Sequence, residues 1–178
     1  MNRFRYVVAV GLTAGLVLTG GAAQAASKSV KDKAKDAPAA ADITRVTVKN
    51  DADKLAIKVK LRKARAGRTH LVATLSPTVE GAPTYVVRTV DAENKGKGKK
   101  IGATLEMWAA DADEAEVVEC KGIKAAISSG RNGQSQVRVP QACFGDDAGT
   151  LVVEVATVDP EGEVVDDARP LRVKKAKG

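Results

Sequence analysis

The chain has 178 residues, with 29 basic and 22 acidic side chains, a formal net charge of +7, two cysteines, one histidine and 3% aromatic residues. Its length is that of a single domain, and no stretch beyond the N-terminal residues is apolar and long enough to cross a bilayer as a helix. The basic excess points to a polyanionic partner, nucleic acid included, provided that the charge sits on the folded part.

Much of it does not. Residues 1–25 have the layout of an export signal: Arg3 and Arg5, an apolar run over residues 7–18, and the small-x-small site Ala23-Gln24-Ala25. Cleavage is expected after Ala25, leaving a secreted protein with no transmembrane segment. Residues 26–40 are built from Lys, Ala, Asp and Ser without apolar periodicity and are expected to form a disordered linker. Residues 174–178 form a basic tail. With signal, linker and the last seven residues, Arg172 included, set aside, residues 41–171 carry about −1.

From residue 41 onward the dominant period is two. Val46 and Val48 alternate with Arg45, Thr47 and Lys49, and Leu55, Ile57, Val59 and Leu61 alternate with Lys54, Lys58 and Lys60. Alternation of this kind makes a half-buried strand. The intervening Asn50-Asp51-Ala52-Asp53 makes the pair a hairpin. Pairing Lys49 with Lys54 would set Val48 opposite Leu55 and Val46 opposite Ile57, giving one apolar face and one basic face. Further strands are predicted over residues 69–75, 84–90, 101–108, 116–120, 124–128, 134–139, 150–158 and 164–173, separated by Gly/Pro/Asn/Asp turns. Residues 109–116 lack an apolar face and are expected to be a loop. The pattern predicts an all-β, antiparallel β-sandwich of about eight to ten strands, immunoglobulin-like or jelly-roll-like, spanning residues 41–173.

Cys120 and Cys143 form an even pair, which in an exported chain reads as a disulfide. Closing a loop of that length stabilises a small domain by about 3 kcal/mol. A redox or metal pair would need closer spacing and further ligands.

The stretches ADITRVTVKNDADKLAIKVKL (residues 41–61), ECKGIK (119–124), VRVPQACF (137–144) and DDARPLRV (166–173) resemble a set of small secreted β-sandwich proteins of high-GC Gram-positive, actinobacterial-type bacteria. In that set an N-terminal hairpin, a Cys-x-Gly, a Val-x-Val-Pro-x-x-Cys and a closing basic strand follow in the same order. The resemblance implies the fold, export and the disulfide, and implies no activity. The chain departs from the set in tryptophan, of which it holds Trp108 alone.

Function is approached by inventory. Ser-His-Asp chemistry needs a histidine, and the single one, His70, stands in no recognisable motif. No glycine-rich phosphate loop and no His/Cys ligand cluster appears, so no cofactor is expected. Asp111, Asp113, Glu114 and Glu116 are close enough in sequence for paired-carboxylate hydrolysis or for weak Ca²⁺ binding, but the pattern lacks the glycine and terminal glutamate of a calcium loop and is read first as a solvated loop. Tyr85 and Trp108 are candidates to stack on sugar rings, as in a carbohydrate-binding module. The strongest signal is cationic: Arg45, Lys49, Lys54, Lys58, Lys60 and Arg62 share the outer face of the first hairpin, and Lys95, Lys97, Lys99 and Lys100 fill one glycine-loosened loop. Like charges opposite one another in a sheet are mildly unfavourable. Their retention marks either an edge guarded against aggregation or a surface that meets an anion. A non-catalytic protein that meets anionic polymers or polysaccharide of the cell envelope is therefore expected. Specific nucleic-acid recognition is not, because export separates the chain from the chromosome and no groove-reading element is visible.

Overall fold

The computed structural model describes residues 26–92, 100–147 and 149–176. Residues 1–25 and the lysines at 95, 97 and 99 lie outside the described residues.

Among the described residues thirteen strands and one short 3₁₀ segment follow in chain order. The first three, β1 (Ala26–Lys31), β2 (Ile43–Asn50) and β3 (Lys54–Leu61), meander up and down. After the two-residue β4 (Lys63–Ala64) come β5 (His70–Pro77), β6 (Thr84–Ala92) and β7 (Lys100–Trp108). Short β8 (Glu116–Val117), β9 (Lys124–Ser128) and β10 (Gly130–Arg131) precede β11 (Gln134–Pro140), and the 3₁₀ segment Gln141–Asp147 leads into β12 (Thr150–Val158) and β13 (Val164–Lys174). Every pairing is antiparallel. One sheet has the order β1-β2-β3-β11-β9, the other β13-β12-β5-β6-β7-β8, and β4 with β10 makes a small ribbon between excursions.

The two large sheets face each other across one core. From the first come Val46, Val48, Leu55, Ile57, Val59, Leu61, Val137 and Val139; from the second come Leu71, Leu75, Val87, Leu105, Leu151, Val153 and Val173. All are inward positions of period-two strands, so the fold is the antiparallel sandwich that the alternation predicts, stapled by the Cys120–Cys143 disulfide. Tyr85 and Phe144 meet edge to face in that core, ring centres 5.2 Å apart, and the Tyr85 hydroxyl donates to the Phe144 carbonyl at 2.9 Å. The bridge therefore anchors the 3₁₀ segment beside its own buried ring.

Two glycines are fixed by geometry. Gly122, just after Cys120, has φ +91°, a left-handed conformation that L side chains rarely adopt. At Gly133 a Cβ would stand 2.5 Å from the Ser128 carbonyl oxygen and 2.6 Å from Ala64 Cβ, because the chain entering β11 crosses close to the small ribbon.

Three expectations are corrected. Residues 26–40 are not a disordered linker. β1 pairs along its whole length with β2, from Ala26 opposite Asn50 to Lys31 opposite Arg45, and Val30 packs on the core. The open edge of β2 offers backbone donors and acceptors that any sequence can satisfy, so this strand forms without apolar alternation. The residues after it are bonded as well: Ala41 and Asp42 N–H donate to the Pro38 carbonyl, and Lys63 N–H donates to that of Ala39. The basic tail is likewise partly held, with Lys174 ending β13, Lys175 N–H donating to Gly149 and Ala176 N–H to Asn50. Finally, the hairpin register is shifted by two. Val48 faces Ile57 and Val46 faces Val59, because the turn closes at Asp51 N–H to the Lys54 carbonyl. A shift of two leaves every side chain on its expected face.

Pro170 is accommodated where β13 bulges opposite Glu154, on an edge strand that needs no further donor. Truncating Phe144 to Ala is expected to cost about 3–5 kcal/mol, and Tyr85→Phe, which removes only a hydroxyl bond, about 1 kcal/mol, in urea unfolding of the oxidised protein. Equal costs would place the ring pair outside the core.

Candidate anion-binding face

The registers assemble the outer surface of the five-stranded sheet row by row. Across the first row run Lys31, Arg45, Lys60 and Gln134; across the second Ser29, Thr47, Lys58, Gln136 and Ala126; across the third Ser27, Lys49, Ala56, Arg138 and Lys124. Lys54 stands beyond the third row, opposite Pro140. No carboxylate occupies these rows; Asp51 and Asp53 stand at their end in the β2–β3 turn, and Asp32 follows Lys31. Among the described residues the two ion pairs are Arg62–Asp42 and Arg88–Glu106, so none of the row cations is paired to an acid.

Small side chains in the middle of the rows, Thr47 and Ala56, lower the floor while lysine and arginine stand up around it. The result is a groove of about 540 Å³ lined by Arg45, Lys49, Lys54, Lys58, Lys60, Gln136 and Arg138, with Asp51 as the one carboxylate in its wall, at the turn end. A shallower hollow of about 220 Å³ adjoins it between β9 and β11, sharing Gln136 and Arg138 and adding Lys124. Lys49, Lys54, Lys60, Lys124 and Arg138 are exposed, while Arg45 and Lys58 are half-buried with their stems along the sheet. Neighbouring strands lie about 4.8 Å apart and same-face residues about 6.7 Å apart along a strand, so the cations form a grid of that mesh.

Five of the six hairpin residues named from the sequence therefore come together. Arg62 does not belong to them. Just past β3 it turns toward the sheet seam, where its Nε lies 2.6 Å from Asp42 Oδ2 in an ionic contact and its Nη2–H donates to the Ala37 carbonyl. Asp42 is fully buried, and Arg62 supplies its counter-charge. Lys100 opens β7, on the other sheet. Three residues that the sequence did not single out join the face, Lys31, Lys124 and Arg138. Alternation in Gln134-Ser135-Gln136-Val137-Arg138-Val139 marks Arg138 as outward, but nothing local to it tells that β11 lies beside β3.

The other sequence candidates disperse. Tyr85 is 5% exposed and belongs to the core, which removes it as a sugar-stacking surface; Trp108, 36% exposed at the end of β7, stands without it. Asp111, Asp113, Glu114 and Glu116 are all exposed and form no cluster of three carboxylate oxygens. His70 lines a hollow of about 370 Å³ with Arg88, Asp91 and Asp159 on the opposite sheet. Comparison with known protein-family models, curated proteins and solved structures finds no match to this chain.

The two kinds of cation should respond differently to truncation. Arg62→Ala leaves Asp42 buried without its counter-charge and is expected to lower stability by about 2–3 kcal/mol, at the low end because the guanidinium is partly exposed. Lys58→Ala relieves like-charge crowding and is expected to change stability by less than about 0.5 kcal/mol, or to raise it. A large loss at Lys58 in chemical denaturation would mean that the basic face is structural.

Proposed function

We propose that the protein acts outside the cytoplasm as a non-catalytic binding protein whose basic sheet face holds an extracellular polyanion, such as a phosphate-bearing or carboxylate-bearing polymer of the cell envelope. The observation that carries this is the gathering of cations from β1, β2, β3, β11 and β9 on one sheet face, none of them in an ion pair among the described residues, with no acid in its rows and Asp51 alone at the groove's turn end. Like charges opposite one another, as at Arg45 and Lys60, cost stability and are of use when an anion neutralises them. The N-terminal signal layout and the disulfide fit an oxidising, extracytoplasmic setting.

Mechanistically the face reads charge density rather than shape. It is a floor of small and polar side chains under a lattice of ammonium and guanidinium groups, so a chain with anions repeated every few ångströms can bind in several registers. Each register displaces counterions, and affinity comes chiefly from that release. Arg138 and Arg45 can take an oxyanion through two donors, whereas the lysines act as point charges. Sugar stacking is not supported, because Trp108 is left as a lone ring.

The test is retention of the purified protein on immobilised inorganic polyphosphate and, in parallel, on uncharged cellulose. Binding to polyphosphate at 50 mM NaCl is expected to weaken steeply toward 500 mM, and cellulose is expected to retain nothing. At roughly 1 kcal/mol per removed charge near an anionic surface, the triple variant Lys49→Ala, Lys58→Ala, Arg138→Ala should lose on the order of 100-fold in affinity at low salt. Retention that ignores salt, or survives the triple change, would sink the proposal.

A further inference from the structure

The acidic side chains of the chain do not gather in the 109–116 loop, but they do gather elsewhere. At the seam where the start of β2 meets β13, Asp36, Asp42 and Asp166 each bring one carboxylate oxygen to within 4.8 Å of the others. The three come from three segments: Asp36 from the turn after β1, Asp42 from the residue before β2, and Asp166 from β13. They make a graded site, with Asp42 fully buried as its floor, Asp166 half-buried as its wall and Asp36 exposed at its mouth.

The bonding around them is incomplete on the inward side. Asp42 Oδ2 accepts the Lys35 N–H at 2.8 Å and faces Arg62, but Asp42 Oδ1 is buried and has no hydrogen-bond partner. Burying a carboxylate oxygen with nothing to solvate it is costly, and such an orphan calls for a donor or a cation. Asp32, next to the cluster at the end of β1, repeats the pattern: its Oδ2 is also buried and unpartnered. Asp166 accepts the Ile43 N–H at 2.7 Å and the Asp167 N–H at 3.0 Å, one on each oxygen, and each oxygen keeps a further lone pair. Against these four carboxylates stand two guanidinium groups: Arg62, which is spent on Asp42, and Arg169, which partly offsets Asp32. Burial, reinforced by the neighbouring carboxylates, holds Asp32 and Asp166 above the usual carboxylate range, although N–H bonds from Lys33 to Asp32 and from Ile43 to Asp166 pull the other way.

We infer that Asp36, Asp42 and Asp166, with Asp32 beside them, bind a divalent cation, and that the cation is calcium. All the ligand atoms on offer are hard carboxylate oxygens, with no imidazole or thiolate, which disfavours zinc and copper. Oxygens no more than 4.8 Å apart can all touch one ion at calcium's 2.3–2.6 Å, and calcium accepts the irregular, water-completed geometry that three separate segments provide. Magnesium needs a tighter octahedron at about 2.0–2.1 Å and keeps most of its water. The consequence is mechanical. The ion ties the turn after β1 to β2 and β13, so it clasps the N-terminal strand onto the sandwich.

The experiment uses the purified protein in three arms of equal ionic strength: 10 mM CaCl₂, 10 mM MgCl₂, and NaCl with 1 mM EDTA. Extracellular calcium modules bind with dissociation constants of about 10⁻⁴ to 10⁻³ M, so the midpoint of thermal unfolding is expected to rise by roughly 3–10 °C in calcium relative to EDTA. Tryptic cleavage at the exposed Lys33 and Lys35 should slow in the same arm. Asp36→Asn, at the exposed mouth, is expected to fold, to melt in EDTA no lower than the unaltered protein because repulsion is relieved, and to lose the calcium shift. No calcium shift, an Asp36→Asn protein that keeps it, or a shift without protection at Lys33 and Lys35 would each overturn the site. An equal shift with magnesium would overturn the choice of calcium. None of these outcomes depends on whether the basic face binds a polyanion.

Discussion

The strand on which the rest of the molecule depends is β3. Leu55, Ile57, Val59 and Leu61 are each no more than 1% exposed, and the strand has a partner on both edges, β2 on one and β11 on the other. Its inward face cannot leave the core without exposing four large side chains at about 2 kcal/mol apiece. Because side chains alternate strictly, that constraint also decides what faces water. Lys54, Lys58 and Lys60 must point outward, and the flanking strands carry Arg45, Lys49 and Arg138 into alignment with them. The basic face and the core are thus two consequences of a single period, and a slip of one residue would destroy both at once.

The distribution of charge follows from the same frame. A domain that sums to nearly zero gathers one group of its cations on the outside of one sheet and a compact group of carboxylates at the seam beside β13. Arg62 is the boundary between them. It follows β3 in sequence, and its spacing from Lys60 would place it with the outward lysines, yet it folds back to serve the buried Asp42. Net charge conceals this arrangement, in which the cations face solvent while the carboxylate group is partly buried.

Wherever burial dictated pattern, the sequence was readable. β9 and β12 coincide with the runs read from alternation, β5, β6, β7, β11 and β13 differ by a few terminal residues, and the two cysteines pair as their number implies. The residues that escaped reading are those whose place is decided by backbone bonding or by distance along the chain. β1 has Val30 as its one large apolar side chain on the core, so nothing periodic announces it; its pairing rests on the edge that β2 leaves open. β4 and β10 are too short for any period to show. The Asp36, Asp42 and Asp166 group draws on both ends of the chain, with Asp42 and Asp166 separated by most of the domain, and each looks locally like an ordinary turn or strand-edge residue. Tyr85 is a related case: an aromatic residue in a strand is equally compatible with either face until the partner strands are known, and Phe144 supplies the ring and the carbonyl that draw it inward.

β1 has a further consequence for the molecule in company with its own kind. It is an edge strand hydrogen-bonded to β2 alone, and the turn of residues 32–41 joins it to the body. The row of donors and acceptors that β2 presents to it is indifferent to which copy of the chain provides the matching strand, since the six pairings from Ala26 to Lys31 are made with backbone atoms. Two molecules could therefore trade these strands and each remain fully paired, with no new interface to evolve. What separates the closed monomer from the exchanged dimer is how firmly the hinge is held, by the Pro38, Ala39 and Ala40 carbonyls that accept from Asp42, Lys63 and Thr69. The grip on a few turn residues thus sets how firmly β1 stays with its own sandwich.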